Sequence, residues 1–170
     1  MPRRYCRYYT RPRAPRRKYE TNRNFIGLLT NASTQTQQQI VAASPLPGVR
    51  KLKHLRLQLA LTGAKNETGQ AIGDYQLVIP WALVYVPQGE SPGLMNLTTV
   101  SSPFYQPANQ VLASGVYDPS DGGGFAARVP FTKNLNSGDR VFLIATIIPG
   151  VGASGVTATL QGMCTYFIAY

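Results

Sequence analysis

Between residues 50 and 61 the chain reads RKLKHLRLQLAL, and Leu55, Leu57, Leu59 and Leu61 alternate there with Arg56, Gln58 and Ala60. Apolar residues at every second position line one face of an extended strand, whereas a helix would scatter them around its axis. Each leucine buried from water contributes roughly 1.5–3 kcal/mol. The segment therefore predicts a strand with one face on a core. The opposite face carries Arg50, His54 and Arg56, so it is wet or meets an anion. Such a strand needs others beside it, because its backbone N–H and C=O groups must find partners.

The rest of the chain supplies those partners. Residues 24–31 (NFIGLLTN) form a short apolar run, a first strand or an anchor for what precedes it. Residues 36–43, with Pro45 and Pro47 behind them, read as an edge-like strand. Residues 75–86 (YQLVIPWALVYV) form a long aromatic and β-branched strand that Pro80 should bulge or kink, since proline lacks the ladder donor. Further strands are predicted over 109–117, 125–131, 139–148 and 156–170, separated by PQGESPG, DPSDGGG, NLNSG and GVGASG turns. Residues 94–107 read as irregular. With no helical periodicity between the strands, the class is all-β. About eight strands joined by long, uneven connections favour an eight-stranded jelly-roll β-sandwich over an up-and-down barrel. Residues 24–170 suffice for one such domain and its core.

Residues 1–23 (MPRRYCRYYTRPRAPRRKYETNR) differ from all of this. Arg3, Arg4, Arg7, Arg11, Arg13, Arg16, Arg17, Lys18 and Arg23 face a single acid, Glu20, giving +8 of the chain's +10. Residues 24–170 hold eight basic and six acidic residues, net +2. Pro2, Pro12 and Pro15 oppose helix, and self-repulsion with little apolar surface predicts an arm that is disordered alone and ordered only by a polyanion. Arginine pairs bidentately with phosphate and releases counterions. Tyr5, Tyr8, Tyr9 and Tyr19 are interleaved with the charges, and aromatic rings stack on unpaired bases. The arm thus fits single-stranded nucleic acid, and it would also serve as a nuclear-import signal. A second cluster, Arg50, Lys51, Lys53, His54 and Arg56, either continues the phosphate track on an inner surface or is a strand edge guarded by charge.

Little in the sequence points to catalysis. His54 is the only histidine, and nothing marks a carboxylate to orient it. Asp118 and Asp121 in DPSDGGG read as turn formers. Cys6 and Cys164 make neither a disulfide framework nor a zinc site. The expectation is no enzyme, no cofactor and no metal. No run approaches the roughly 18 apolar residues of a membrane span, and no stretch resembles a signal peptide.

The basic arm, RKLKHLRLQLAL, WALVYVPQGESPG (81–93), FYQPANQVLASGVYD (104–118) and KNLNSGDRVFL (133–143) occur in this order. Together they resemble the capsid proteins of small circular single-stranded DNA viruses, the relatives of circoviruses and nanoviruses. The resemblance implies a single jelly roll and a small icosahedral shell of about sixty identical copies. It also implies inward-facing arms on a packaged circular DNA genome, a host nuclear import receptor as partner, and a place in the virion and the host nucleus. About sixty arms would supply about 480 positive charges, against one phosphate per nucleotide. The other readings are an RNA-virus jelly-roll capsid protein, a cellular basic β-barrel nucleic-acid-binding protein such as a ribosomal protein, and a lectin-like or cytokine-like sandwich. The last explains the fold but not the arm.

Overall fold

The computed structural model describes residues 18–31, 35–66, 68–71, 77–92, 110–121, 124–130, 132–150 and 155–170. These residues form two antiparallel sheets packed face to face. The first contains β1 (Glu20–Asn31), β10 (Thr157–Ala169), β3 (Arg50–Lys65) and β6 (Phe125–Val129) in that order, and β7 (Lys133–Leu135) continues β6 along the same edge of β3. The second contains β2 (Thr36–Val41), β8 (Arg140–Ala145), β4 (Leu77–Val86) and β5 (Gln110–Tyr117), and β9 (Ile148–Pro149) continues β8 along β4. Counting β6–β7 and β8–β9 as interrupted single strands gives eight. Every connection except β4–β5 crosses from one sheet to the other, which is the winding of a jelly roll. The all-β jelly-roll expectation is met.

The strands form where the period-two pattern places them. In β1, Ile26, Leu28 and Thr30 are buried while Phe25, Gly27 and Leu29 are exposed. In β10, Ala158, Leu160, Cys164, Tyr166 and Ile168 face inward. Trp81 lies across Gly115 of the neighbouring strand, where a side chain would meet the indole at 3.0 Å, and stacks on Phe125 of the opposite sheet at 4.9 Å between ring centroids. The Cys164 thiol is buried in this core, and desolvation pushes its pKa up to about 12, so it is a packing residue.

Three details differ from the sequence reading, and a fourth adds to it. First, β1 starts at Glu20, so residues 20–23 pair with β10 from Glu20↔Ile168 to Arg23↔Thr165 and belong to the sandwich rather than to the arm. Second, the alternation of β3 breaks at His54. That residue has a φ of 50° at a β-bulge, where two residues of β3 oppose one of β10. The extra residue reverses the parity of the strand, so Arg50 and Leu52 face the core together with Leu55, Leu57 and Leu59. Third, Pro80 causes no bulge of its own. Its missing donor faces the interruption between β8 and β9, and its carbonyl accepts from the Thr146 N–H at 3.2 Å. Fourth, β4 is buried on both faces, with Ala82, Val84, Val86, Phe142 and Ile144 forming a second apolar cluster. This suits its continuous rather than alternating apolar sequence. The stretch 94–107, read as irregular, lies outside the described residues.

A side chain of β2 reaches the free edge of β1, and one of β1 reaches the backbone of β2. Gln38 accepts from the Gly27 N–H at 3.2 Å and donates to the Phe25 carbonyl at 3.3 Å, and the Asn24 amide donates to the Ile40 carbonyl. These contacts occupy backbone groups that would otherwise template another strand. At one end of the sandwich the buried Asp139 accepts from the Tyr85 hydroxyl at 2.7 Å and from the backbone N–H groups of Asn136 (2.6 Å) and Gln88 (3.2 Å). Burial, then the hydrogen bond to Asp139 and its charge, push the Tyr85 phenol up to about 12. A folded-state pKa above the usual value near 10 means that this contribution is complete below pH 10 and is lost as pH rises through 12. Tyr85→Phe removes one donor from a buried carboxylate. Urea denaturation at neutral pH should register a loss of about 1–3 kcal/mol. The variant should also lose less stability than the parent on alkaline titration. An unchanged denaturation midpoint would remove Asp139 from this stabilising role.

Candidate nucleic-acid interface

Of the body's basic residues, Lys51, Lys53, Arg56, Lys65 and Arg128 lie at outward positions of the β1–β10–β3–β6 sheet, whereas Arg50 is buried and Lys133 lies over Tyr85 of the opposite sheet. The strands of this sheet contain Arg50, Lys51, Lys53, Arg56, Lys65, Arg128 and Lys133 within residues 24–170, and no acid. That is +7, and the remainder of 24–170 holds Arg140 against six acids, −5. Glu20, the one acid of β1, pairs with inward-facing Ile168 at the start of the strand, on the opposite side from Thr21 and Arg23.

Strand register sharpens this into a row. Arg23 is opposite Thr165, Thr165 is opposite Arg56, and Arg56 is opposite Arg128, so one line across four strands carries three arginines. Three strand spacings of about 4.8 Å make it about 14 Å long. Like charges directly opposite one another destabilise a sheet, and Arg56 and Arg128 are both exposed. Thr21, Arg23, His54, Arg56, Arg128, Thr165 and Phe167 line a cleft of about 350 Å³ here, with no carboxylate among them. A row of guanidinium groups in such a cleft is suited to phosphate oxygens, which arginine can take two at a time.

The bulge at His54 brings the imidazole into this cleft. A left-handed backbone is uncommon outside glycine, though histidine tolerates it better than most. Here it turns the ring toward Phe167, edge-to-face with centroids 5.9 Å apart. Lys53 reaches the N-terminal side, its Nζ 4.7 Å from the ring centre of Tyr19. Tyr19 immediately precedes β1, so the chain enters the sandwich beside the basic cleft.

Of the sequence-predicted contacts, His54 and Arg56 meet in the cleft, Lys53 flanks it, and Lys51 is half-buried on the same strand outside it. Arg50 does not join them. It is 7% exposed, and its guanidinium donates to the Asp139 carbonyl at 3.2 Å. The bulge is the reason, since it places Arg50 and Arg56 on opposite faces. Of the arm residues, Lys18 is exposed, Tyr19 contacts Lys53 and Arg23 sits in the row. Arg3, Arg4, Arg7, Arg11, Arg13, Arg16, Arg17, Tyr5, Tyr8 and Tyr9 lie outside the described residues.

Arg128, Thr165 and Phe167 were missed from sequence. The alternation of FAARV does place Arg128 on the face away from Phe125 and Val129, but nothing local says that this face adjoins Arg56. Among the described residues no three His, Cys, Asp or Glu side chains converge as metal ligands, and no helix is long and apolar enough to cross a membrane. Asp118 takes the role of a turn former, accepting from the Ser120 N–H at 2.9 Å ahead of the 3₁₀ turn Pro119–Asp121. No family model and no curated protein matches the chain.

Proposed function

We propose that this protein is a viral capsid protein that assembles into a small closed shell and packages single-stranded nucleic acid. The observation that carries the reading is the continuity of charge. A +8 N-terminal segment runs into β1 beside a sheet whose outward positions carry Arg23, Lys51, Lys53, Arg56, Lys65 and Arg128. In a shell this sheet would face the packaged strand. Exposed apolar side chains supply candidate subunit contacts. Leu46, Val49 and Tyr170 surround one shallow cleft at an end of the sandwich, and Val116 and Ile148 project from the other sheet. The proposed role is structural rather than enzymatic, located in the virion and, through the basic segment, in the host nucleus.

Full-length protein should sediment as a uniform closed particle and appear as one in negative stain, with nucleic acid resistant to added nuclease until the particle is opened. DNase or RNase sensitivity of the released strand then separates a DNA genome from an RNA genome. A strictly monomeric protein at high concentration, with and without nucleic acid, would rule the capsid reading out.

A further inference from the structure

We infer that the outward face of the β1–β10–β3–β6 sheet is a binding platform for unpaired nucleotides, in which the Arg23–Arg56–Arg128 row holds phosphates and Phe25 stacks a base. The inference rests on the nucleic-acid reading above and adds to it a site on the folded body, distinct from the arm. Phe25 is two residues beyond Arg23 on the same face of β1, about 7 Å along the strand. It is 68% exposed and lies opposite the exposed Met163 of β10. Its ring leans over Gly27, where even a Cβ would stand 3.4 Å from the ring edge. The next row, Phe25–Met163–Gln58–Ala126, thus contains no charge and borders the arginine row along its whole width.

These two rows match the two chemistries of a single strand. Phosphates take the guanidinium groups and relieve the repulsion between Arg56 and Arg128. A base with an open π-face takes the ring. A duplex offers phosphates but no unstacked base, so it engages only the first row. A second copy of this chain would bring an equally basic sheet, which makes a polyanion the better occupant.

The test uses the full-length chain with Phe25→Ala and Arg56→Gln/Arg128→Gln variants, titrated with salt against fluorescent oligo-dU, oligo-rU of equal length and a mixed-sequence duplex. Phe25→Ala should weaken binding to the single strands by roughly 5- to 150-fold while leaving the salt slope and the duplex affinity unchanged. The double arginine variant should reduce the magnitude of the log–log slope on single strands by about 1.4. It should also melt at a higher temperature than the parent when free of nucleic acid, which shows that it is folded and that the row is strained without an anion. A Phe25→Ala loss confined to the single strands supports the platform, and the larger of the two losses identifies the sugar it prefers. An unchanged slope in the arginine variant, or equal weakening on duplex and single strands in Phe25→Ala, overturns it. So does a Phe25→Ala protein that loses assembly but keeps its single-strand affinity, since the ring would then be a subunit contact. If the parent assembles and both variants bind as it does, this inference falls and the capsid reading stands. If the parent binds neither strand, both fall.

Discussion

Deletion of residues 1–17 is expected to abolish packaging while leaving the sandwich folded. The deletion removes Arg3, Arg4, Arg7, Arg11, Arg13, Arg16 and Arg17 together with Tyr5, Tyr8 and Tyr9, and it stops short of Tyr19 and of β1. If six of these arginines contact phosphates, the log–log salt slope on a single strand loses about 0.7 × 6, or roughly 4. Purified particles should lose their nucleic-acid absorbance, and the melting temperature should hold. Deletion of residues 1–23 should behave differently. It also removes the pairs from Glu20↔Ile168 to Arg23↔Thr165, which uncovers the end of β10 and takes one arginine from the row. That protein should melt lower than the shorter deletion. Equal affinity and slope for the full-length and 1–17-deleted proteins would place binding wholly on the body and refute the role of the arm. Equal stability of the two deletions would show that residues 20–23 contribute nothing to the sandwich.

The second large effect is expected at Gly162. This residue lies opposite Leu59 where β10 meets β3, and a Cβ there would stand 2.0 Å from the Gln58 carbonyl oxygen and 2.8 Å from the Leu59 Cα. Both are backbone atoms, which cannot rotate aside as a side-chain tip can. Gly162→Ala must therefore separate the two strands that form the middle of the basic sheet, at a cost of about 3 kcal/mol or more. In a domain of this size that lowers the melting temperature by about 6–12 °C. Gly63→Ala is the matched control, since nothing lies within 4 Å of its Cβ position. It should be neutral or slightly stabilising through the unfolded chain. A Gly162→Ala protein as stable as the parent would mean that β3 and β10 do not pair in the register Leu59↔Gly162.

The strands themselves were legible because a buried face imposes a period of two on any sequence that folds this way. Leu55, Leu57 and Leu59 point inward as that period requires, and only Leu61, half-buried, marks the fading of the pattern toward the end of β3. The bulge was less legible. Its trace in the sequence is the three-residue spacing from Leu52 to Leu55, a single break in alternation that any strand end also produces. Which of these it was depended on β10, because a bulge is a mismatch between two strands and has no existence in one. Arg50 followed from the same ambiguity, since its side of the sheet turns on whether His54 counts as one position or as an insertion.

What the sequence determined alone was the all-β class, the basic N-terminal segment and the single histidine. These are properties of composition and of near neighbours. The gathering of Lys51, Lys53, Arg56, Lys65 and Arg128 at outward positions of one sheet was decided only by the tertiary structure. So was the row Arg23–Thr165–Arg56–Arg128. Its members come from four strands spread over most of the chain, and the forces that bring them together act elsewhere. The leucines and aromatics on the inner faces select which strands pair and in which register. The outward arginines are carried into line by that choice, so no local pattern around any one of them records the other two.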